Sequence, residues 1–208
     1  MRKRLVRKLL REMGGGEPVR LALSAVKMTE VARIAFVARQ FGYEYADLKQ
    51  TANNRLALFV VPDPGPQARE RAARNWARYP DAADGGALPP VEPAAVELLK
   101  ARMAIDLGRQ YSDALRVVLS VLALTPIAAA VAIRFREDTA VVVIAGLVWA
   151  VLMALLPVGI RAGRRSREEH AARLLAAGFT SVTDRNGRLR YVPPGGLPGP
   201  GEPMPRGT

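Results

Sequence analysis

The side chains able to carry acid–base or metal chemistry are few and poorly spaced for it. His170 is the single histidine of the chain and stands beside Glu168 and Glu169. Consecutive helical residues point about 100° apart, so this imidazole and its two carboxylates cannot converge on one ion, and His170 is expected at the surface. Asp106 and Asp113 recur seven residues apart on one helix face, but Arg102, Arg109 and Arg116 share that spacing, and mutual ion pairing accounts for the set. The chain has no cysteine, which excludes disulfides, thiolate nucleophiles, zinc knuckles and iron–sulfur centres. Phosphate loops of the GxxxxGK[ST] type, GxGxxG turns, GxSxG elbows and HExxH helices are also absent from the sequence. Gly14-Gly15-Gly16 follows a helical run rather than a strand and reads as a break, not a phosphate cradle. No catalytic, cofactor-binding or metal-ligating residue is expected, and a non-enzymatic role follows.

What the sequence does specify is placement. Residues 117–133 (VVLSVLALTPIAAAVAI) and 140–160 (AVVVIAGLVWAVLMALLPVGI) carry no charge. At 1.5 Å per residue they reach about 26 and 31 Å, close to the thickness of a bilayer's hydrocarbon, and Arg116 can snorkel to lengthen the first. Six residues separate the runs, so they predict a tight two-helix transmembrane hairpin with both chain ends on one side. Lys100, Arg102, Arg109, Arg116, Arg161, Arg164, Arg165, Arg167 and Arg173 flank it, against Arg134 and Arg136 in the loop, which predicts both ends in the cytoplasm. The start, MRKRLVRKLLREMGGG, is charged with no apolar core after it and is not read as a cleavable signal. Arginine outnumbers lysine 26 to 5, a bias that suggests a GC-rich bacterium and therefore its plasma membrane.

Within the hairpin, Gly146, Ala150 and Ala154 form a small-residue stripe suited to close helix packing, either against Ala128 and Ala132 of the first span, which is preferred, or against another copy of the chain. Pro126 removes the amide that would bond the Leu122 carbonyl, and Trp149 lies at about the same depth. Its indole is expected to face Leu122 and Thr125.

Six of the first eleven residues are basic. On a helical wheel Leu5, Val6, Leu9, Leu10 and Met13 fill one arc, and Lys3, Arg4, Arg7, Lys8 and Arg11 the other. Two placements suit such a helix: flat on the anionic inner leaflet, which is preferred, or docked on the protein's own core. A strand is expected from Val19, then a helix capped by Thr29 with Val31, Ile34, Ala35, Ala38 and Phe41 on one face and Gly42 as its stop. A hairpin follows, from Tyr43 to Thr51 and Arg55 to Val61 about an Asn53-Asn54 turn, the second strand apolar enough to be central.

After the hairpin the order recurs. Arg167 to Ala177 is helical, Gly178 stops it, and Phe179 to Thr183 and Arg188 to Val192 flank an Asn186-Gly187 turn. Two αββ-like units together with the Val19 strand predict one sheet. With its LLAAGF run and Asn-Gly turn, the second unit resembles the small αββ modules of RNA-binding toxin and double-stranded-RNA folds over fewer than thirty residues, without a diagnostic catalytic histidine.

The expected organisation is a basic amphipathic helix at 1–16, a first α/β unit at 17–62 and a mobile Pro/Gly-rich linker with a short helix at 63–93. A rigid stalk helix follows at 94–116, running into the membrane, then the hairpin at 117–160, a second α/β unit at 161–196 and a disordered tail at 197–208. The fold class is thus an integral membrane protein with a cytoplasmic α+β domain. The expected function is that of a membrane-anchored adaptor or assembly factor holding a cytoplasmic protein at the bilayer. Lys3, Arg4, Arg7, Lys8, Arg11, Arg161, Arg164 and Arg165 would meet anionic lipids, with homo-oligomerisation through the hairpin open. The alternative is a membrane-tethered nucleic-acid binder using Arg55, Arg188 and Arg190 with Tyr43, Tyr45, Phe179 and Tyr191 on its strands. Against it, the membrane-facing basic segments already account for most of the net charge of +12.

Overall fold

The computed structural model describes residues 3–24, 26–51, 55–110, 112–183 and 189–194. The expected Asn53-Asn54 and Asn186-Gly187 turns, Tyr111, Arg188 and the tail from 197 lie outside them. The chain divides into two compact units, one formed by residues up to 107 together with those from 170 onward, the other by 108–169.

The first unit is α+β. Helix α1 (Lys3–Met13) leads into strand β1 (Val19–Leu23), helix α2 (Met28–Gln40), and strands β2 (Tyr43–Thr51) and β3 (Arg55–Pro62). These strands form an antiparallel sheet in the order β1-β3-β2, so the apolar β3 is central as its composition predicts. Alternation in β1 sends Val19, Leu21 and Leu23 inward and Arg20 and Ala22 outward. Helix α2 buries Val31, Ile34, Ala35 and Ala38, the face its periodicity marks. Thr29 is not its cap: the helix begins at Met28, and Lys27 at the N-cap position makes no side-chain bond.

Helix α1 takes the second of its two placements. Val6, Leu9, Leu10 and Met13 are buried in the core with α2 and the sheet, and the Tyr43 hydroxyl donates to the Met13 carbonyl at 2.7 Å, satisfying an acceptor at the helix end. The apolar arc is therefore engaged by the protein itself, and only the basic face stays at the surface.

The linker expected at 63–93 is packed rather than mobile. Helix α3 (Pro66–Arg78) lies against α2, where Arg71 donates to the Arg39 carbonyl at 3.1 Å and Asn75 to the Gln40 carbonyl at 2.8 Å. Asn75 takes up a carbonyl at the frayed end of α2, and Arg71 adds a second donor to the Arg39 carbonyl, which also accepts from the Gly42 amide at 3.3 Å. Trp76 packs on Phe41 with ring centroids 4.5 Å apart, and the 3-10 turn at Pro80–Asp84 buries Ala82 and pairs Asp84 with Arg11 at 2.9 Å. Proline and glycine here shape a path over the surface.

Two further expectations change. The stalk is broken: helix α4 (Pro93–Gly108) stops, and helix α5 (Asp113–Arg134) begins anew after Ser112, whose hydroxyl accepts from the Leu115 amide at 3.2 Å. A Ser-Asp pair provides both an N-cap and an acid in the first turn, which favours a fresh start over continuation. The unbroken helix is the returning one, α6 (Thr139–Ala176), which joins the second span and the following helix without a gap. Strands β4 (Thr180–Thr183) and β5 (Leu189–Val192) then form their own two-stranded sheet instead of extending the first. The reason lies in β2, where a bulge between Tyr45 and Asp47 interrupts the ladder and the Ala46 carbonyl accepts from the Arg190 side chain at 2.5 Å.

Gly42 turns α2 into β2 with φ of 89°, and a Cβ there would stand 2.9 Å from that of Ala72 in α3. Gly42→Ala is expected to cost about 1–3 kcal/mol. Gly16→Ala, also at positive φ but with open space around the added carbon, should cost less. Unfolding midpoints of the solubilised full-length protein check the order: wild type highest, Gly42→Ala lowest.

Candidate functional site: apolar hairpin and basic collar

Helices α5 and α6 are both long and apolar enough to cross a membrane. Large apolar side chains along them, among them Leu122, Ile127, Ile144, Leu147 and Val151, are exposed. Such a continuous apolar surface is untenable in water and suggests membrane association.

The helices meet along a seam of half-buried positions, with Ser120, Leu124, Ala128 and Val131 on α5 and Ala145, Trp149, Met153 and Leu156 on α6. Trp149 donates its indole N–H to the Thr125 hydroxyl at 3.2 Å, next to Pro126, which stays inside the continuous helix α5. Gly146, Ala150 and Ala154 are instead exposed, and a Cβ at Gly146 would meet nothing within 4 Å. The preferred expectation that this stripe packs inside the hairpin is therefore corrected. Ala128 and Ala132 do sit at less exposed positions, but they do not face that stripe. Helical geometry explains the outcome: residues 146, 150 and 154 lie about 60°, 100° and 140° round the helix from 149, all to one side of it, so a seam rotated to seat the indole turns the small residues outward, and an indole N–H among apolar groups demands an acceptor.

A cluster of arginines gathers at the open end of the hairpin. Asp113 accepts from Arg164 Nε at 2.7 Å and from Arg167 Nη2 at 3.4 Å, with Arg116 Nη1 at 3.9 Å. The Gly108 carbonyl accepts from Arg167 Nη1 at 2.7 Å and from Arg116 as well. Arg165 pairs with Glu169 at 3.8 Å and its side chain is 84% exposed, and Arg161 is exposed. The expected ion pairing of Asp113 with Arg116 exists, but the closer partners come from α6.

In the α+β unit, Asp106 finds a partner on β2. It accepts from the hydroxyl of Tyr45 at 2.7 Å. Arg102 lies over the Tyr45 ring at 5.0 Å and donates to Glu44 at 2.9 Å, while Arg190 binds Asp47 at 3.2 Å in addition to the Ala46 carbonyl. Burial pushes the Asp106 carboxyl up from the usual range, opposed by the Tyr45 hydrogen bond and the charge of Arg102, and drives the Tyr45 phenol well above its ordinary value. The group joins β2, α4 and β5, segments drawn from before and after the hairpin. Among the described residues no three His, Cys, Asp or Glu side chains are placed to share a metal ion. Glu168 and Glu169 are exposed and His170 half-buried, without convergence.

Of the residues proposed for nucleic acid, Arg55 is exposed and Arg190 is committed to β2. Tyr43, Tyr45 and Tyr191 are buried, and Phe179 packs beside a small second cluster of Ala101, Ile105, Leu174 and Tyr191, so none of these aromatics offers an open stacking face. The strand pattern missed Phe59 of β3, on the outward face, with Arg20 and Lys49 at 5.6 and 5.4 Å from its ring centre. Counting outward positions from Arg20 would have found it, because the register sets Phe59 opposite Arg20. The basic face of α1 is largely exposed, with Arg7 half-buried and lying against Gly85.

The seam bond carries a measurable expectation. Thr125→Val and Trp149→Phe each lower the unfolding midpoint, and the double variant loses less than the sum, the coupling being about 0.6 kcal/mol. Strict additivity would show that the bond contributes nothing. Asp106 yields a second. A carboxyl raised in the folded state makes folding less favourable as pH rises from the unfolded value of about 3.8 through the folded one. Asp106→Asn, whose amide oxygen can still accept from Tyr45, should therefore gain in midpoint relative to wild type as pH is raised across that window, as thermal scans at several pH values would record.

Comparison with known proteins finds no matching family model, no matching curated protein and no matching solved structure.

Proposed function

We propose that this chain is a non-enzymatic, membrane-anchored adaptor or assembly factor, which presents its α+β domain on the cytoplasmic side of a bacterial plasma membrane and holds a cytoplasmic protein there. One observation carries the reading. The apolar hairpin leaves and rejoins a single folded unit, since Ala101 and Ile105 before it pack with Leu174 and Tyr191 after it, and Arg190 is bound to β2. A chain that leaves and returns to one domain through two spans has both ends on one face of the bilayer, and the nine flanking basic residues favour the cytoplasmic face.

Lys3, Arg4, Arg7, Lys8 and Arg11 act through charge on the anionic leaflet, because their helix keeps its apolar arc in the core. The outward stripe of Gly146, Ala150 and Ala154 is available to a second copy. Nucleic acid is the weaker reading, since the strand tyrosines are buried.

The hairpin is tested by thiol labelling in intact cells, for which the absence of native cysteine makes each introduced one unique. Thr139→Cys should react with an impermeant reagent applied from outside, whereas Ala87→Cys and Ser166→Cys should react only after lysis. The opposite pattern would invert the topology. Function is tested on the full chain in nanodiscs with a single-stranded oligonucleotide. No appreciable affinity at physiological salt is expected, and submicromolar binding that falls with salt and with Arg55→Ala or Lys49→Ala would replace the adaptor by the nucleic-acid binder.

A further inference from the structure

We infer that the arginine collar at the open end of the hairpin is a binding site for the phosphate of an anionic phospholipid headgroup, with Arg164 and Arg167 as its principal donors. The inference rests on the reading of the hairpin as membrane-spanning and identifies a ligand for it.

Three features of the collar lead there. The first is its level along the hairpin. Arg116 immediately precedes the uncharged run 117–133 and Arg161 immediately follows the run 140–160, and the 2.7 Å contact from Arg164 to Asp113 brings these two ends side by side. In a spanning hairpin this is the height at which hydrocarbon gives way to headgroups.

The second is charge. Arg116, Arg164 and Arg167 surround one carboxylate, that of Asp113, so the cluster retains two positive charges, and Arg161 adds to them, while Arg165 pairs with Glu169. Near a bilayer the effective dielectric is lower than in water, and uncompensated like charges held together repel more strongly there. A phosphate relieves that repulsion.

The third is preorganisation. A guanidinium binds a phosphate with the same donors that it offers a carboxylate, and Asp113, met by one nitrogen from each of Arg164 and Arg167, already gathers both groups around a single anionic site. The Gly108 carbonyl fixes the other side of Arg167 at 2.7 Å, and a Cβ at Gly108 would stand 3.0 Å from Arg167 Cδ, so glycine leaves that side chain its place. Arg164 meets Asp113 through Nε alone, its side chain is 62% exposed, and its terminal nitrogens lie outside that contact. This is the fork on which a second anion can seat.

The experiment is native mass spectrometry of the detergent-solubilised full chain titrated with phosphatidylglycerol or phosphatidylcholine, beside carbonate extraction of membranes from the expressing cells. Phosphatidylglycerol should be retained at least tenfold better than phosphatidylcholine. Arg164→Ala, a change at an exposed side chain, should remove most of that preference, and Arg167→Ala should do so too, whereas Arg136→Ala at the opposite end of the hairpin should leave it intact. Unchanged thermal midpoints for Arg164→Ala would separate lost binding from lost folding.

Equal retention of the two lipids, or equal loss with Arg136→Ala, would overturn the site while leaving the anchor standing. Displacement of the lipid by millimolar inorganic phosphate would overturn it in favour of a soluble anion. Release of the protein by carbonate would overturn the anchor and the collar together.

Discussion

The polar contacts that bind Asp106 to Tyr45 and Arg190 to the bulge of β2 are the constraint on which the rest of this protein depends. The first ties α4, from which the chain departs into an apolar hairpin, to β2, and the second brings the returning segment back to the same strand. The hairpin cannot be housed in that unit, because its two helices expose apolar side chains around most of their circumference. The domain must therefore be completed by a segment that arrives only after the excursion. The apolar contribution to that closure is small, a cluster of Ala101, Ile105, Leu174 and Tyr191, and directional polar bonds supply the register that so few apolar contacts would leave loose.

The two sheets follow from the same constraint. A two-stranded hairpin is marginal by itself in water, and β4-β5 gains its support by lying against α4 and the end of α6 through Tyr191 and Leu174 rather than by adding to the edge of β2. The bulge at Ala46 removes that edge from strand pairing and leaves its carbonyl to a guanidinium. Buried polar groups also join distant segments of this unit. Asp106 accepts from a phenol, with the charges of Arg102, Arg190 and Asp47 close enough to act on it, and its raised protonation equilibrium is first of all a consequence of burial at a seam.

In the second unit, charge and apolar length are arranged in succession. Two helices with long uncharged runs are joined by a hydroxyl–indole bond midway and by an aspartate among arginines at the open end. Each fixes one degree of freedom of a helix pair: the seam bond sets rotation about the helix axes, and the collar sets how the ends align. Helix α1 is an amphipathic segment with two possible placements. Its apolar arc was equally suited to lipid or to a core, and the core, offering α2 and the sheet within reach, takes it while the cations stay outside.

Features that depend on neighbours in sequence were legible from the chain alone. The two apolar runs, the flanking arginines, the buried face of α2, the alternation of β1 and the central place of β3 follow from composition and from periods of two and 3.6 residues, which are local properties of the backbone. The depth of Trp149 and its need for an acceptor were equally local, and led to Thr125. Tertiary structure alone decided which of two surfaces receives α1, which side of α6 faces α5, and whether the connector holding α3 packs or wanders. It also decided that Asp106 belongs to Tyr45 and Arg190 to Ala46, partners 61 and 144 residues distant. Spacing along one helix offered Asp106 nearer arginines, and an i, i+3 or i, i+4 ion pair in water is worth only a few tenths of a kcal/mol. The preference that prevailed, a buried phenol in need of an acceptor, exists only once distant segments have been brought together and water has been excluded between them.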